Sequence, residues 1–266
     1  MITVGMFQGP AQSATVADHL AAIDAAAAQA AAANCDIMIT PEMSATGYHI
    51  GTAIAERAEP ADGPIFQRIA QIARNTGVAI VYGYAESGAE SGAESRPYNS
   101  VQVVDAHGES LANYRKTHLY GFDRDYFSPG DRWITQFEFA GATCGLLICY
   151  DIEFPENARA HADAGTQWLI VPTGLMKPYG FIARQIVPAR AYESQLFLSY
   201  VNRTGVENGL EYCGLSCTIA PDATELSRAG AAEQLLTCQL DPNAVAVSRA
   251  VNTHLADRRR DLYEER

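Results

Sequence analysis

The sequence predicts an α/β protein built around a mixed β-sheet. Three observations point there. Short apolar runs alternate with segments of helical period over most of the chain. Two of the apolar runs are joined by the short turn "AHG", the signature of an antiparallel hairpin inside an otherwise alternating pattern. No Gly/Ser-rich linker interrupts the 266 residues, of which 48% are hydrophobic and 19% charged. That length allows one large α/β domain or two small ones, and the missing linker favours one domain over 1–266.

The elements follow in order. "ITVGMFQ" reads as an opening buried strand. In "TVADHLAAIDAAAAQAAAANC" Leu20, Ile23 and Ala27 recur on one helical face, and alanine is the best helix former. "DIMITPE" is a short apolar run halted by Pro41, a buried strand entering a loop. "GPIFQRIAQIARNTG" carries Pro64 at its start and Gly77 at its end, which are helix start and stop signals. "VAIVYGY" reads as a strand, and "YNSVQVVD" and "ESLANYRK" form the hairpin across "AHG". Then come a strand "ATCGLLIC", a helix "PENARAHADAG", a strand "WLIVPT" and a helix "ARQIVPARAYESQ" that must accommodate Pro188. "LFLSYVN", "CGLSCTIA" and "EQLLTCQLD" read as late strands. The repeated unit in "ESGAESGAES" reads as a mobile hairpin loop.

Charge and composition narrow the function classes. A formal net charge of −12 repels phosphates, so no nucleic-acid partner is expected. The basic cluster Arg258–Arg260, between Asp257 and Asp261, reads as a solvated end. "MITVGMFQGP" lacks the features of a signal peptide, and no apolar run approaches the roughly 20 residues that cross a bilayer. The six cysteines contain no Cys-x-x-Cys pair, so neither zinc ligation nor a disulfide framework is expected, and reduced thiols in the cytoplasm are the expectation. No membrane partner, metal or cofactor is called for.

Three positions at the ends of apolar runs draw attention. Cys149 lies where "GLLIC" gives way to "YDIEFPE", and the carboxyl ends of strands are where open α/β sheets bind ligands. Cys144, five positions earlier in the same run, would face the other way and reads as filler between helix and sheet. Glu42 follows Pro41 at the end of "DIMIT", and Lys116 ends "ESLANYRK". Each has an ordinary reading: an inert buried thiol, a loop carboxylate and a surface lysine. Together they make a hydrolase constellation. A thiol with an ordinary pKa near 8.5 is mostly protonated at neutral pH, a carboxylate can take its proton during attack, and an ammonium with a backbone N–H beyond the nucleophile can stabilise an oxyanion.

"PEMSATGY", "YRKTHLYG" and "GLLICYDIEFPE" resemble the three motifs of the nitrilase superfamily, the carbon–nitrogen hydrolases. "VGMFQGP", "DGPIFQRIAQIARNTGVAIVYGY", "YNSVQVVDAHG", "ARAYESQ" and "EYCGLS" fit in the same order, so the resemblance spans nearly the whole chain. It implies a four-layer α-β-β-α sandwich, paired as a homodimer or higher homo-oligomer, with the tail from about residue 241 to 266 against the partner subunit. It implies Glu42 as general base, Lys116 as the family's lysine and Cys149 as a nucleophile forming a thioester with an amide carbon. Many members carry a second glutamate between lysine and cysteine. In "YGFDRDYFSPG" the matching position holds Asp123, with Asp125 the competing candidate.

Many members have an arginine where "CYDIEFPE" has Glu153. A glutamate reverses the sign, favouring a neutral or cationic amide over an acidic one. "GYHIG", "YGYAE", "NYRKTHL", "GLLICYDIEFPENAR", "LIVPT" and "EYCG" resemble bacterial 5-aminovaleramidases and related R-stereoselective amidases, which implies a small aliphatic amide such as 5-aminovaleramide. Glu153 could then meet a substrate ammonium, or pair within the fold. Tyr150 is placed to offer a backbone N–H to the oxyanion, Thr173 and Gly174 to border the pocket, and Tyr48 and His49 to follow Glu42 in its loop; ordinary loop roles remain open for all five. The rivals are a Cys–His hydrolase using His118, a nitrilase or N-carbamoyl amine amidohydrolase using the same Cys149, and a catalytically silent binding or signalling module.

Overall fold

The computed structural model describes residues 1–11, 14–88 and 96–263. Most of the Glu-Ser-Gly-Ala repeat, read above as a hairpin loop, lies outside the described residues. Two six-stranded sheets form the body. The first runs in the order Gln234–Leu240, Ile2–Gln8, Ile37–Ile39, Ala79–Glu86, Tyr98–Val104, Ser110–Arg115. Ile2–Gln8, Ile37–Ile39 and Ala79–Glu86 are parallel to one another, and the remaining pairs are antiparallel. The second runs Glu225–Arg228, Cys217–Ile219, Phe197–Val201, Trp168–Pro172, Ala142–Leu146, Gln136–Phe139, with parallel pairs on either side of Trp168–Pro172. The sheets are mixed, as the alternating pattern requires.

Helices cover the two outer faces. Val16–Ala32 starts on a capping box in which the Thr15 hydroxyl and the Asp18 carboxylate each hold the other's backbone N–H. Pro64–Thr76 begins with a proline and stops at Gly77, whose φ of 70° only glycine adopts without strain. Ile23, Ala27, Ile65, Ile69 and Ile72 of this pair pack on Met38, Ile80 and Tyr82 of the first sheet. On the second sheet a Cβ at Gly145 would strike His161 of the helix Pro155–Asp163, so strand neighbours of Gly145 point the other way. There the two sheets face each other: Trp168 Nε1 donates to Ser199 Oγ at 3.0 Å, Ser199 Oγ meets Thr218 Oγ1 at 2.8 Å, and Thr218 reaches Met6 Sδ of the first sheet. The stack is α-β-β-α. Cys144 pairs with Trp168 in register, so it fills the layer between the sheets and not the space between helix and sheet.

Several elements differ from the sequence expectation. The segment 183–195 is a π-helical turn, Ile182–Ile186, followed by the helix Val187–Ser194. Pro188 has no N–H for the regular ladder, and the widened turn before it absorbs the mismatch. "CGLSCTIA" divides: Cys213 closes the strand Leu210–Cys213, and only Cys217–Ile219 joins the second sheet. Leu210–Cys213, Thr204–Glu207 and Pro10–Ala11 make a small third sheet. The basic cluster near the end is not simply solvated, because Arg258 and Arg260 both pair with Asp163, at 2.8 and 2.7 Å. No helix among the described residues is long and apolar enough to cross a membrane.

Two buried histidines make stability depend on pH. His161 is fully buried with Nδ1 against Thr166 Oγ1 at 3.1 Å, and burial pushes its pKa down to about 4; His19 is pushed down to about 4 by burial and by Arg203. Below about 6.5 the unfolded chain binds protons that the folded chain refuses. Their contribution is therefore present above pH 6.5 and lost as pH falls towards 4, by about 3 kcal/mol for a fully buried imidazole. Thermal unfolding at pH 7 and pH 4.5 should show wild type losing more stability than His161→Gln over that interval. Equal losses would remove His161 from this account.

Candidate active site

Glu42 is placed by the parallel strand Ile37–Ile39 and its neighbour. Beyond the strand Thr40 still donates its N–H to Val81 O at 2.9 Å, and Pro41 then turns the chain. Met43 sits at a φ of 54°, and Gly83 lies against the same turn, where a Cβ would overlap the Met43 amide nitrogen. Only glycine allows that approach. Glu42 Oε1 accepts from Asn99 Nδ2 at 2.7 Å and from Lys116 Nζ at 2.7 Å. Its other oxygen, Oε2, has no protein partner among the described residues. Burial raises the Glu42 pKa and the charge of Asp123 adds to this, while Lys116 and Asn99 pull the other way; the net shift is upward.

Lys116 leaves the strand Ser110–Arg115 with its N–H on Asn99 O and its carbonyl holding Gly130 N–H, both at 2.8 Å. Its side chain is fully buried between two carboxylates, with Asp123 Oδ2 at 2.6 Å on the far side from Glu42. Burial works against its charge, but Asp123 and Glu42 outweigh burial and hold the ammonium well above the ordinary lysine range. Asp123 opens the short helix Asp123–Tyr126 and also accepts the Tyr120 N–H at 3.2 Å. Asp125 is exposed, two positions further along that helix, so it is not the acid that meets Lys116.

Cys149 does not end a strand. Ala142–Leu146 stops three residues earlier, and Cys149 opens a 3₁₀ turn, Cys149–Glu153, at a φ of 47°. A non-glycine residue held there is strained, a condition found preferentially at functional sites. Asp151 fixes the turn. Its carboxylate accepts from the Ile148 N–H at 3.0 Å, the Tyr114 hydroxyl at 2.9 Å and the His118 N–H at 2.9 Å. The loop bearing Lys116 and the turn bearing Cys149 thus share one buried carboxylate. Burial and the Glu42 charge raise the Cys149 pKa, opposed by Lys116, the Thr173 hydroxyl and the Gly174 N–H, and the net shift is well up. The resting group is a neutral thiol. Tyr150, second in the 3₁₀ turn, has an N–H with no partner inside it.

The remaining expected residues sort by distance from this centre. Gly174 touches it: a Cβ there would come within 2.8 Å of the Tyr48 ring and 3.0 Å of Glu42 Oε2. Tyr48 is fully buried with its ring 5.7 Å from Lys116 Nζ. Thr173 bonds the Tyr200 hydroxyl at 2.9 Å. The Tyr150 ring packs edge-on against Tyr120 and Phe154. His49 packs on Phe122 and gives its N–H to Glu207. Glu153 is partly buried; burial raises its pKa, and Lys116 and Arg190 oppose. Its carboxylate has no hydrogen bond or ion pair among the described residues. His118, the base of the rival Cys–His reading, is stacked on Phe154 with Nδ1 on Asp151 at 2.9 Å, so its ring is committed there. Asn99, Asp151, Arg203 and Glu207 were not singled out in the sequence. A polar residue inside an apolar strand run was the available signal for Asn99.

The arrangement places a neutral thiol, a carboxylate with one free oxygen and a fixed ammonium at one buried centre. That set can take a proton from sulfur as sulfur attacks and can stabilise the oxyanion that results. Among the described residues no group of three His, Cys, Asp or Glu is placed to hold a metal ion.

Residues 3–250 match the family described as carbon-nitrogen hydrolase. The chain is 44% identical over 264 residues to a Pseudomonas protegens protein named "hydrolase in pqqF 5′ region", covering 98% of this chain and 90% of that one. It is 40% identical over 235 residues to an (R)-stereoselective amidase of Pseudomonas sp., covering 88% and 83%. Among solved structures it superposes on an amidase from Nesterenkonia sp. AN1 with a TM-score of 0.87 at 32% identity, covering 99% of both chains. A Glu-to-Gln variant of that amidase carries acrylamide added to its active-site cysteine.

The buried geometry separates the two acidic candidates. Asp123→Asn leaves the buried Lys116 ammonium with a single carboxylate and should lower stability to thermal unfolding by about 3 kcal/mol, the cost of breaking a buried ion pair. Asp125→Asn, at an exposed position, should change stability by less than about 0.5 kcal/mol. The reverse ranking would move the second acid to Asp125.

Proposed function

The chain belongs to the carbon–nitrogen hydrolase family, and from that premise we propose that it is an amidase converting a small aliphatic primary amide to its carboxylic acid and ammonia. The observation that carries this is the split carboxylate of Glu42: Oε1 is held by Lys116 and Asn99, while Oε2 has no partner and lies against Gly174, whose N–H interacts with the Cys149 thiol.

The reaction follows from where the protons sit. The Cys149 thiol passes its proton to Glu42 Oε2 as sulfur bonds to the amide carbon, and the carbonyl π electrons move to oxygen. Lys116 and the Tyr150 N–H stabilise that oxyanion. Collapse breaks the C–N bond, and Glu42 returns the proton to the departing nitrogen, which leaves as ammonia. Water then gives a proton to Glu42 and attacks the thioester. The C–S bond breaks, and the sulfur takes the proton back from Glu42. Lys116 keeps its proton throughout, because Asp123 stays beside it and the negative oxyanion forms next to it while Glu42 carries the transferred proton. Asp123 orients Lys116 and does not meet the substrate.

The substrate we infer is an ω-amino amide such as 5-aminovaleramide. Glu153 supports this: a partly buried carboxylate within the fields of Lys116 and Arg190, close enough to Tyr120 and Tyr200 to influence both, and with no hydrogen bond or ion pair to its carboxylate among the described residues. A terminal ammonium would give that carboxylate a direct ion pair. The similarity to an (R)-stereoselective amidase supports amides as the substrate class. We also propose that copies pair through the apolar groove lined by Tyr192, Ala244, Val247 and Val251, where Val247 and Val251 of the tail are exposed; sedimentation velocity showing only monomer at micromolar concentration would exclude it.

Ammonia release should be measured with 5-aminovaleramide, pentanamide and pentanenitrile. The two amides should yield ammonia and acid, and Cys149→Ala should yield none. Turnover of the nitrile in preference to the amides would make the protein a nitrilase. Glu153→Gln should raise KM for 5-aminovaleramide about tenfold, the lower end of a charge-assisted contact at about 1.5 kcal/mol. KM for pentanamide should move less than about twofold. Equal KM changes for both would leave the amidase reading intact and remove Glu153 from ammonium recognition.

A further inference from the structure

We propose that Arg203 and Glu207, a buried ion pair outside the reacting set, are positioning residues that clamp both ends of the loop carrying the general base; this rests on the reading of Glu42 as that base. Arg203 is almost fully buried and donates through Nη2 to the backbone carbonyl of Glu42 itself. Through Nη1 it reaches the Glu207 carboxylate at 3.4 Å. Glu207, fully buried, accepts the Tyr48 N–H at 3.1 Å and the His49 N–H at 2.7 Å, with the Tyr212 hydroxyl at 3.0 Å completing its shell. One guanidinium therefore fixes where the loop begins, and one carboxylate fixes where it ends.

What lies between those points is the site. Met43 turns through its left-handed conformation directly after Glu42. Tyr48 packs on Gly174 and lies beneath Lys116. A buried ion pair is weak evidence for stability, since two apolar side chains of like volume often serve as well. Here the pair does something apolar residues could not. It presents a donor to a carbonyl at one end and an acceptor to two amides at the other, from the short stretch 203–207, in which the strand Thr204–Glu207 is held in the small third sheet. Burial raises the Glu207 pKa, but Arg203 and the His49 and Tyr48 amides outweigh it, so the clamp stays ionised through neutral pH. Glu42 Oε2 must meet a thiol held on the opposite sheet. A displacement of about 1 Å at such a contact costs about 10²-fold in rate.

The test uses Arg203→Ala, Arg203→Lys and Glu42→Gln in the full chain, with thermal unfolding to confirm folding and with kcat and KM for pentanamide. Arg203→Ala should lower kcat about 10²-fold with KM within about threefold. Millimolar guanidinium should restore at least about tenfold of that loss, and methylammonium at equal ionic strength should not. If Arg203→Ala does not fold, Arg203→Lys carries the test: it keeps the charge beside Glu207 but lacks the fork, and should lose at least about tenfold in kcat at unchanged KM. A folded variant with wild-type kcat, or a loss confined to KM, overturns the clamp. Glu42→Gln separates the two claims: if it turns over like wild type, the base assignment fails, whereas if it is silent while the Arg203 variants keep wild-type kcat, only the clamp fails.

Discussion

A single ammonium buried between two carboxylates is the constraint on which this site depends. Lys116 could not be buried alone, because an isolated charge in the interior is too costly. Asp123 at 2.6 Å and Glu42 at 2.7 Å make its burial possible, and in return the cluster holds one more negative than positive charge. Burial, with the charge of Asp123 adding to it, raises the Glu42 pKa against the pull of Lys116 and Asn99, and Lys116 stays charged. In the proposed reaction these touching residues supply the base for the thiol and the cation for the oxyanion.

The fold supplies these groups from two sheets. Glu42, Asn99 and Lys116 come from the first sheet and its connections, and Cys149 and Gly174 from just beyond strands of the second. Asp151 is the joint. It belongs to the turn of the nucleophile, yet accepts Tyr114 from a first-sheet strand and the His118 amide two residues beyond Lys116. The thiol's distance from the ammonium is thus set by a buried carboxylate that takes no part in the chemistry. The face-to-face packing of the sheets, through Trp168, Ser199, Thr218 and Met6, makes that joint rigid.

The three residues that the structure brings together were legible in the sequence because each interrupts an apolar run at its end. Glu42 follows Pro41, Lys116 closes a strand and Cys149 precedes an acidic stretch. The strand-alternation argument for Cys149 failed in detail, since its strand stops at Leu146 and the last residues curl into a 3₁₀ turn. Choosing Asp123 over Asp125 needed the helix Asp123–Tyr126, which is too short for a periodic signal. The supporting shell was hidden for another reason. Asn99, Asp151, Arg203 and Glu207 act through backbone groups or through oxygens of other side chains, and sequence spacing says nothing about which distant amide a carboxylate will meet. The short strands Gln136–Phe139 and Leu210–Cys213 were missed likewise, because too few residues show a period of two.

The resting state of Cys149 follows from the same charge balance and sets the order of events. A site with surplus negative charge cannot also stabilise a thiolate, so burial and Glu42 keep the thiol protonated despite Lys116. In the proposed reaction, activation of the thiol must then coincide with arrival of a carbonyl whose oxygen will accept the charge sulfur gives up. Without that acceptor, proton transfer to Glu42 would leave the buried sulfur negative, with Lys116 in compensation. With it, the new charge lies between Lys116 and the Tyr150 amide. Reactivity is therefore tied to the shape of the substrate, and the Glu42 oxygen that Lys116 and Asn99 leave free is the atom through which that coupling passes.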